Sequence, residues 1–122
     1  MEKELIHKSI IECVKLTLFG NEENSKDFAD RFKDEFLIEF NKKIYHFWVD
    51  VSNLNTINSS FIGIISFICK ALEENGSIII FGANDKIKNI LDISGITKLS
   101  NIEVTNRKEI NENIESNISD DK

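Results

Sequence analysis

Proline is absent from the 122 residues, and the chain is correspondingly rich in isoleucine, asparagine and lysine, a bias that reads as genome composition and carries no functional signal. Other scarcities exclude more. No apolar run approaches the roughly 20 residues needed to span a bilayer, so no membrane insertion is expected. The first residues mix both charge signs and lack the apolar stretch of a secretory signal, which makes the cytoplasm the expected location. There are two cysteines, Cys13 and Cys69, both among apolar neighbours and without metal-ligand spacing; they read as buried, reduced thiols that pack as small hydrophobes. Positive charge is in deficit: 15 Lys and Arg against 21 Asp and Glu leave a formal net charge of −6. That balance opposes the phosphate backbone, so nucleic acid is not an expected partner. Glycine-rich phosphate motifs are missing, and His7 and His46 have no nucleophile or carboxylate at a telling spacing, so neither a nucleotide cofactor nor an enzyme is indicated.

The length suits one domain, expected over residues 1–116, and the last residues, 117–122, read as a solvated acidic tail. Ile11 to Phe19 alternates Cys13 and Lys15 against Val14 and Leu16, predicting a strand closed by Gly20, and a shorter strand is expected at Lys3 to His7. From Ser25 the period changes. Phe28, Phe32, Phe36 and Phe40 recur every four residues, which predicts an amphipathic helix whose aromatic stripe is core rather than a ligand box. Ile44 to Val51 carries apolar residues on both faces through Phe47, Trp48, Val49 and Val51, as a central strand does. Asn53, Asn55 and Asn58 supply turn chemistry before a helix over Ser59 to Glu74, which Asn75-Gly76 is expected to end in a left-handed cap. Ser77 to Phe81 reads as a buried strand. Asn84 caps a small helix with Ile87, Ile90 and Leu91 inward, and Ser94-Gly95 ends it. A weak strand around Asn101 to Val104 and a helix from Thr105 or Asn106 to about Ser116 complete the order. Alternating strands and helices make the class α/β with a parallel or mixed sheet.

The helix that starts at Ser59 has two faces. At about 100° per residue, Phe61, Ile65, Ile68 and Leu72 share one side and form the core stripe. Ser59, Gly63, Ser66, Lys70, Glu73 and Glu74 collect on the other, with Ser59 in the middle of the wet face and Ser60 at its margin. Phe67 projects beside that face, as a residue tucked against a neighbouring loop or as a docking anchor. A serine at a strand-to-helix junction sits where unpaired N–H groups and the positive end of the helix dipole would welcome a phosphate. It sits equally where a plain cap, worth about 1 kcal/mol, is commonest.

The run from Val49-Asp50-Val51-Ser52 through Asn58-Ser59-Ser60-Phe61-Ile62-Gly63 resembles the signature of STAS domains, the fold of anti-sigma factor antagonists. That signature reads apolar-Asp-apolar-Ser, a short turn, then Asp-Ser-Ser-Gly-apolar-Gly. Gly82-Ala83-Asn84, Ile87, Asn89 to Leu91 and Ile93-Ser94-Gly95-Ile96 are similar to a later stretch of the family. The resemblance implies a mixed four- to five-stranded sheet with helices mainly on one face. It implies phosphorylation of Ser59 by an anti-sigma factor serine kinase related to histidine-kinase ATPases and reversal by a metal-dependent serine phosphatase; with the outer face of the helix, it makes Glu23, Asn58, Ser60, Gly63, Ser66, Phe67 and Lys70 the expected contact surface. Unphosphorylated, such a protein binds the kinase and frees a sigma factor.

Three positions depart from the pattern. Asn58 replaces an Asp, which removes a carboxylate beside the modified hydroxyl. Two unit charges about 4 Å apart interact by roughly 1 kcal/mol in water and about 4 at an effective dielectric of 20, so the swap eases phosphate accommodation. Phe61 replaces a glycine on the core side and is expected to tilt or lift the helix start unless neighbours make room. Asn21-Glu22-Glu23 stands for a Gly-Glu-Leu-Asp step. The competing reading keeps the fold and drops the phosphorylation: a scaffold or accessory subunit of a transporter or signalling assembly, docking through the same helix.

Overall fold

In the computed structural model, residues 1–8, 11–19 and 26–107 are described. The chain runs β1 (Glu2–Lys8), β2 (Ile11–Phe19), α1 (Lys26–Asn41), β3 (His46–Asn53), α2 (Ser59–Ala71), β4 (Ser77–Phe81), α3 (Asp85–Ser94), a 3-10 turn (Ile96–Lys98) and β5 (Ile102–Val104). The five strands form one sheet in sequence order. β1 pairs antiparallel with β2, while β2, β3, β4 and β5 pair in parallel, so the sheet is mixed.

Strand alternation sorts the two faces. Val14, Leu16 and Leu18 of β2, Phe47, Val49 and Val51 of β3, and Ile78 and Ile80 of β4 join one buried cluster with residues of α1, α2 and α3. The three helices therefore lie on one face. The other face buries Cys13, Trp48, Ile79 and Phe81 together, which is why β3 reads as apolar on both sides.

The phenylalanine period of α1 serves this core: Phe28, Phe32 and Phe36 are buried and Phe40 is half-buried. The helix ends where Ile44 N–H donates to the Glu39 carbonyl at 3.1 Å and Lys43 N–H to that of Phe40 at 2.9 Å. This is a Schellman end, with Lys43 in the left-handed position at φ 69° and Ile44 buried behind it. Ile44 is thus spent on the helix end, and β3 begins at His46, later than the expected Ile44; it also runs on to Asn53, which was expected in the turn.

The left-handed cap expected at Asn75-Gly76 is not what ends α2. The helix stops at Ala71 and turns through residues 72–75, with Gly76 N–H on the Leu72 carbonyl at 2.8 Å. Positive φ among the described glycines belongs to Gly82 and Gly95. Gly76 instead lets β4 start against β3, because a Cβ there would overlap the Tyr45 carbonyl. Gly95 does take the left-handed cap of α3, at φ 87°. Residues 105–107 are not helical: Thr105 N–H donates to the Ile80 carbonyl at 2.9 Å and Ala83 N–H to that of Thr105 at 3.1 Å. The remainder of the helix expected to about Ser116, the acidic tail, Gly20, Ser25 and Glu23 lie outside the described residues.

Candidate functional site

The end of β3 and the start of α2 are built by short-range polar bonds. Ser52 donates to the Asp50 carboxylate twice, from its N–H at 2.9 Å and its hydroxyl at 2.7 Å. Asp50 is thereby a turn-stabilising acid, with its oxygen committed to the strand end. Leu54 and Ile57 are buried and pin the loop to the core, and Leu54 N–H closes onto the Val51 carbonyl at 3.0 Å. Asn58 then takes extended backbone angles, φ −116° and ψ 179°, and its Oδ1 accepts from Phe61 N–H at 2.9 Å. It is the N-cap, and it satisfies one of the donors that every helix start leaves open.

Ser59 and Ser60 are the first two residues of α2 and both are exposed. Neither hydroxyl makes a hydrogen bond among the described residues. The first turn contains no acidic side chain, so the partial positive charge of the helix start is not neutralised by its own residues.

Phe61 is only 2% exposed and lies in a stack with Phe28 at 6.3 Å and Phe32 at 5.6 Å between ring centres. Room comes from α1, whose two rings lie nearly parallel to it, and the Asn58 cap keeps ordinary geometry.

Along the outer face, Gly63, Ser66 and Lys70 are exposed, and a Cβ at Gly63 would meet open space. From Ser59 to Lys70 the stripe is roughly 16 Å long at 1.5 Å per residue. Phe67 is 38% exposed, with its ring edge-on to Phe36 at 6.1 Å and the Lys33 Nζ over its face at 4.6 Å. It is tucked against α1 with one side open. Toward its C-terminal end, Ser66 and Lys70, with Glu73 of the following turn, border a cavity of about 270 Å³ shared with Leu99, Ser100 and Asn101. Asn101 braces that end by donating to the Cys69 carbonyl at 2.8 Å. Burial pushes the Cys69 thiol up to about 11, so it stays protonated and inert near neutral pH. No group of three metal-ligating side chains exists among the described residues. Of the residues expected to form the contact surface, Ser60, Gly63, Ser66, Phe67 and Lys70 are exposed along α2 with Ser59, while Asn58 is the half-buried N-cap that precedes them.

A family model of the STAS domain matches residues 21–117. The chain belongs to the STAS-domain family. Among solved structures, this STAS domain is similar to a putative anti-sigma factor antagonist, TM1081, from Thermotoga maritima, with a TM-score of 0.71 at 19% identity over 94% of this chain and 92% of that one. It is similar to the anti-sigma factor antagonist SpoIIAA in its unphosphorylated form, with a TM-score of 0.73 at 14% identity over 98% and 97%. The Bacillus cell fate determinant SpoIIAA in its phosphorylated form matches with a TM-score of 0.61 at 12% identity over 96% and 99%. At such identities the likeness is one of fold. No curated protein matches the sequence. No helix among the described residues is long and apolar enough to cross a membrane.

Sequence reasoning placed Ser59 and its stripe but passed over two neighbours. Asn84 is the expected cap of α3, through Ile87 N–H at 2.8 Å, but its Nδ2 also donates to the Asn55 carbonyl at 3.1 Å, a contact the sequence pattern does not show. Gly82 has φ 73°, and a Cβ there would lie 2.7 Å from that of Ser52. The visible signal was Gly82-Ala83-Asn84 directly after an apolar strand, but which loop it would touch is a matter of strand order.

Proposed function

We propose that this STAS domain is a regulator of the anti-sigma factor antagonist type, switched by phosphorylation of Ser59. Unphosphorylated, it binds an anti-sigma factor serine kinase of the histidine-kinase-like ATPase type through the outer face of α2, with Asn58, Ser60, Gly63, Ser66, Phe67, Lys70 and Glu23 as contacts. The kinase transfers phosphate to Ser59, and the complex dissociates. A metal-dependent serine phosphatase restores the binding form. The domain itself performs no catalysis and holds no cofactor.

The observation that carries this reading is an exposed hydroxyl without a hydrogen-bond partner among the described residues, at the first residue of a helix whose first turn has no carboxylate. A phosphate adds about −1.5 to −2 charges there. The helix dipole and open amides tolerate that charge within the domain, whereas a partner packed over Gly63 and Ser60 would have to desolvate it. Incubation with the kinase and ATP followed by peptide mass spectrometry tests the assignment. Phosphate on Ser59, abolished in Ser59→Ala, is the expected result; phosphate retained in that variant, or none in the wild type, refutes it. A stable complex with transporter subunits that Ser59→Asp leaves intact would instead favour the scaffold.

A further inference from the structure

Two loops meet at the end of the sheet where β3 and β4 finish. One, residues 54–58, presents Ser59; the other, residues 82–84, leads into α3. Gly82 is so close to Ser52 that a side chain has no place between them, and its N–H donates to the Arg107 carbonyl, which anchors the second loop to the chain beyond β5. Asn84 then uses both ends of its amide. Oδ1 accepts from Ile87 N–H at 2.8 Å, and Nδ2 donates to the Asn55 carbonyl at 3.1 Å, midway along the first loop. The buried Leu54 and Ile57 hold that loop on its core side. The bond to Asn55 is a side-chain tie from the second loop, and Asn55 lies three residues before the N-cap.

We propose that Asn84 is a positioning residue for phosphoryl transfer to Ser59: it fixes the 54–58 loop, and through it the serine hydroxyl, against the kinase. This rests on the reading of Ser59 as the acceptor. An acceptor hydroxyl must lie within a fraction of an ångström of an in-line geometry, and a shift of about 1 Å can cost on the order of 100-fold in rate. Asparagine suits the place because it has both an acceptor and a donor. Aspartate and serine can cap α3 equally well but have nothing to donate with once the cap is made, or cannot reach.

That difference supplies the test. Asn84→Asp and Asn84→Ser both keep a capping oxygen for Ile87, and both lose the bond to Asn55. Measured on the full chain, both variants should melt within a few degrees of wild type. Hydrogen exchange at the amides of Leu54 to Ile57 should quicken in both, and kcat for phosphate transfer to Ser59 should fall about 5- to 20-fold with KM within about twofold. Wild-type kcat in the variants, or unchanged exchange at residues 54–57, overturns the proposal. So does a fall confined to Asn84→Asp, since the new charge rather than the lost bond would then be the cause, and so does a general loss of melting temperature. If the wild type takes no phosphate at Ser59, the reading of Ser59 fails, and the exchange measurement alone decides whether Asn84 holds the loop.

Discussion

Replacing Phe61 by alanine asks how far this chain has rebuilt its core around a position where the family signature has glycine. The ring is 2% exposed and lies on Phe28 and Phe32, so truncation removes both stacking partners' third member and leaves a void roofed by α1. A phenylalanine buries about 200 Å², and at about 25 cal/mol per Å² the transfer term is near 5 kcal/mol, an upper bound because the unfolded chain is itself partly collapsed. Large-to-small substitutions of this kind cost about 3–5 kcal/mol, a large share of the 5–15 typical of a domain. The backbone N–H of residue 61 still reaches Asn58, so the cap survives and the loss reports packing. Urea denaturation should show an unfolding free energy lower by about 3–4 kcal/mol, and a double-mutant cycle with Phe32→Ala should return a coupling of about 0.5–1.5 kcal/mol. A loss under about 1 kcal/mol, or additive single effects, would show that the three rings do not form one packed unit.

Asn58→Ala removes the acceptor for Phe61 N–H and should cost about 1 kcal/mol by the same denaturation assay, most of it recovered in Asn58→Asp. Lys43→Gly should stabilise by about 0.5–1 kcal/mol, since residue 43 takes the left-handed position of the Schellman end at φ 69°; an unchanged or lower midpoint would contradict that account of the α1 terminus. Lys3 ties β1 to α1 through Glu35 and the buried Glu39, each at 2.7 Å, and those carboxylates raise its pKa above 10.5. The stabilisation this represents is complete below pH 10.5 and disappears as pH rises through the raised value. The stability gap between wild type and Lys3→Met, about 0.5–1 kcal/mol at pH 7 because Lys3 and Glu35 are partly in solvent, should therefore close on titration above that pH, and a gap constant to pH 12 would refute the pairing.

Much of the architecture could be read before any coordinate because it depends on local period. Four phenylalanines spaced by four specify the buried side of α1, and Asn58 and Asn84 cap helices because a short amide oxygen reaches the third amide ahead. Trp48 among apolar neighbours marks β3 as covered on both faces. What escaped depends on who lies next to whom. Gly76 looks like a helix terminator in sequence, yet its role is to let Tyr45 approach, and that contact follows from β3–β4 pairing 31 residues apart in chain, as in His46 against Ser77. Ile44 belongs to a helix end rather than a strand because a lysine two residues after the helix accepts a left-handed backbone. The exposed face of α2 was legible from its angular pattern, whereas the shelter given to Phe61 by α1 and the Asn84 tie to Asn55 needed the fold.

The central claim is that charge on Ser59 separates an interface formed on the outer face of α2. Calorimetric titration of the anti-sigma serine kinase with the purified protein, unphosphorylated and stoichiometrically phosphorylated, measures it directly. The account predicts affinity weaker by about 10- to 100-fold for the phosphorylated form, with Ser59→Ala binding like the unmodified protein. Equal affinity for the two forms would contradict it.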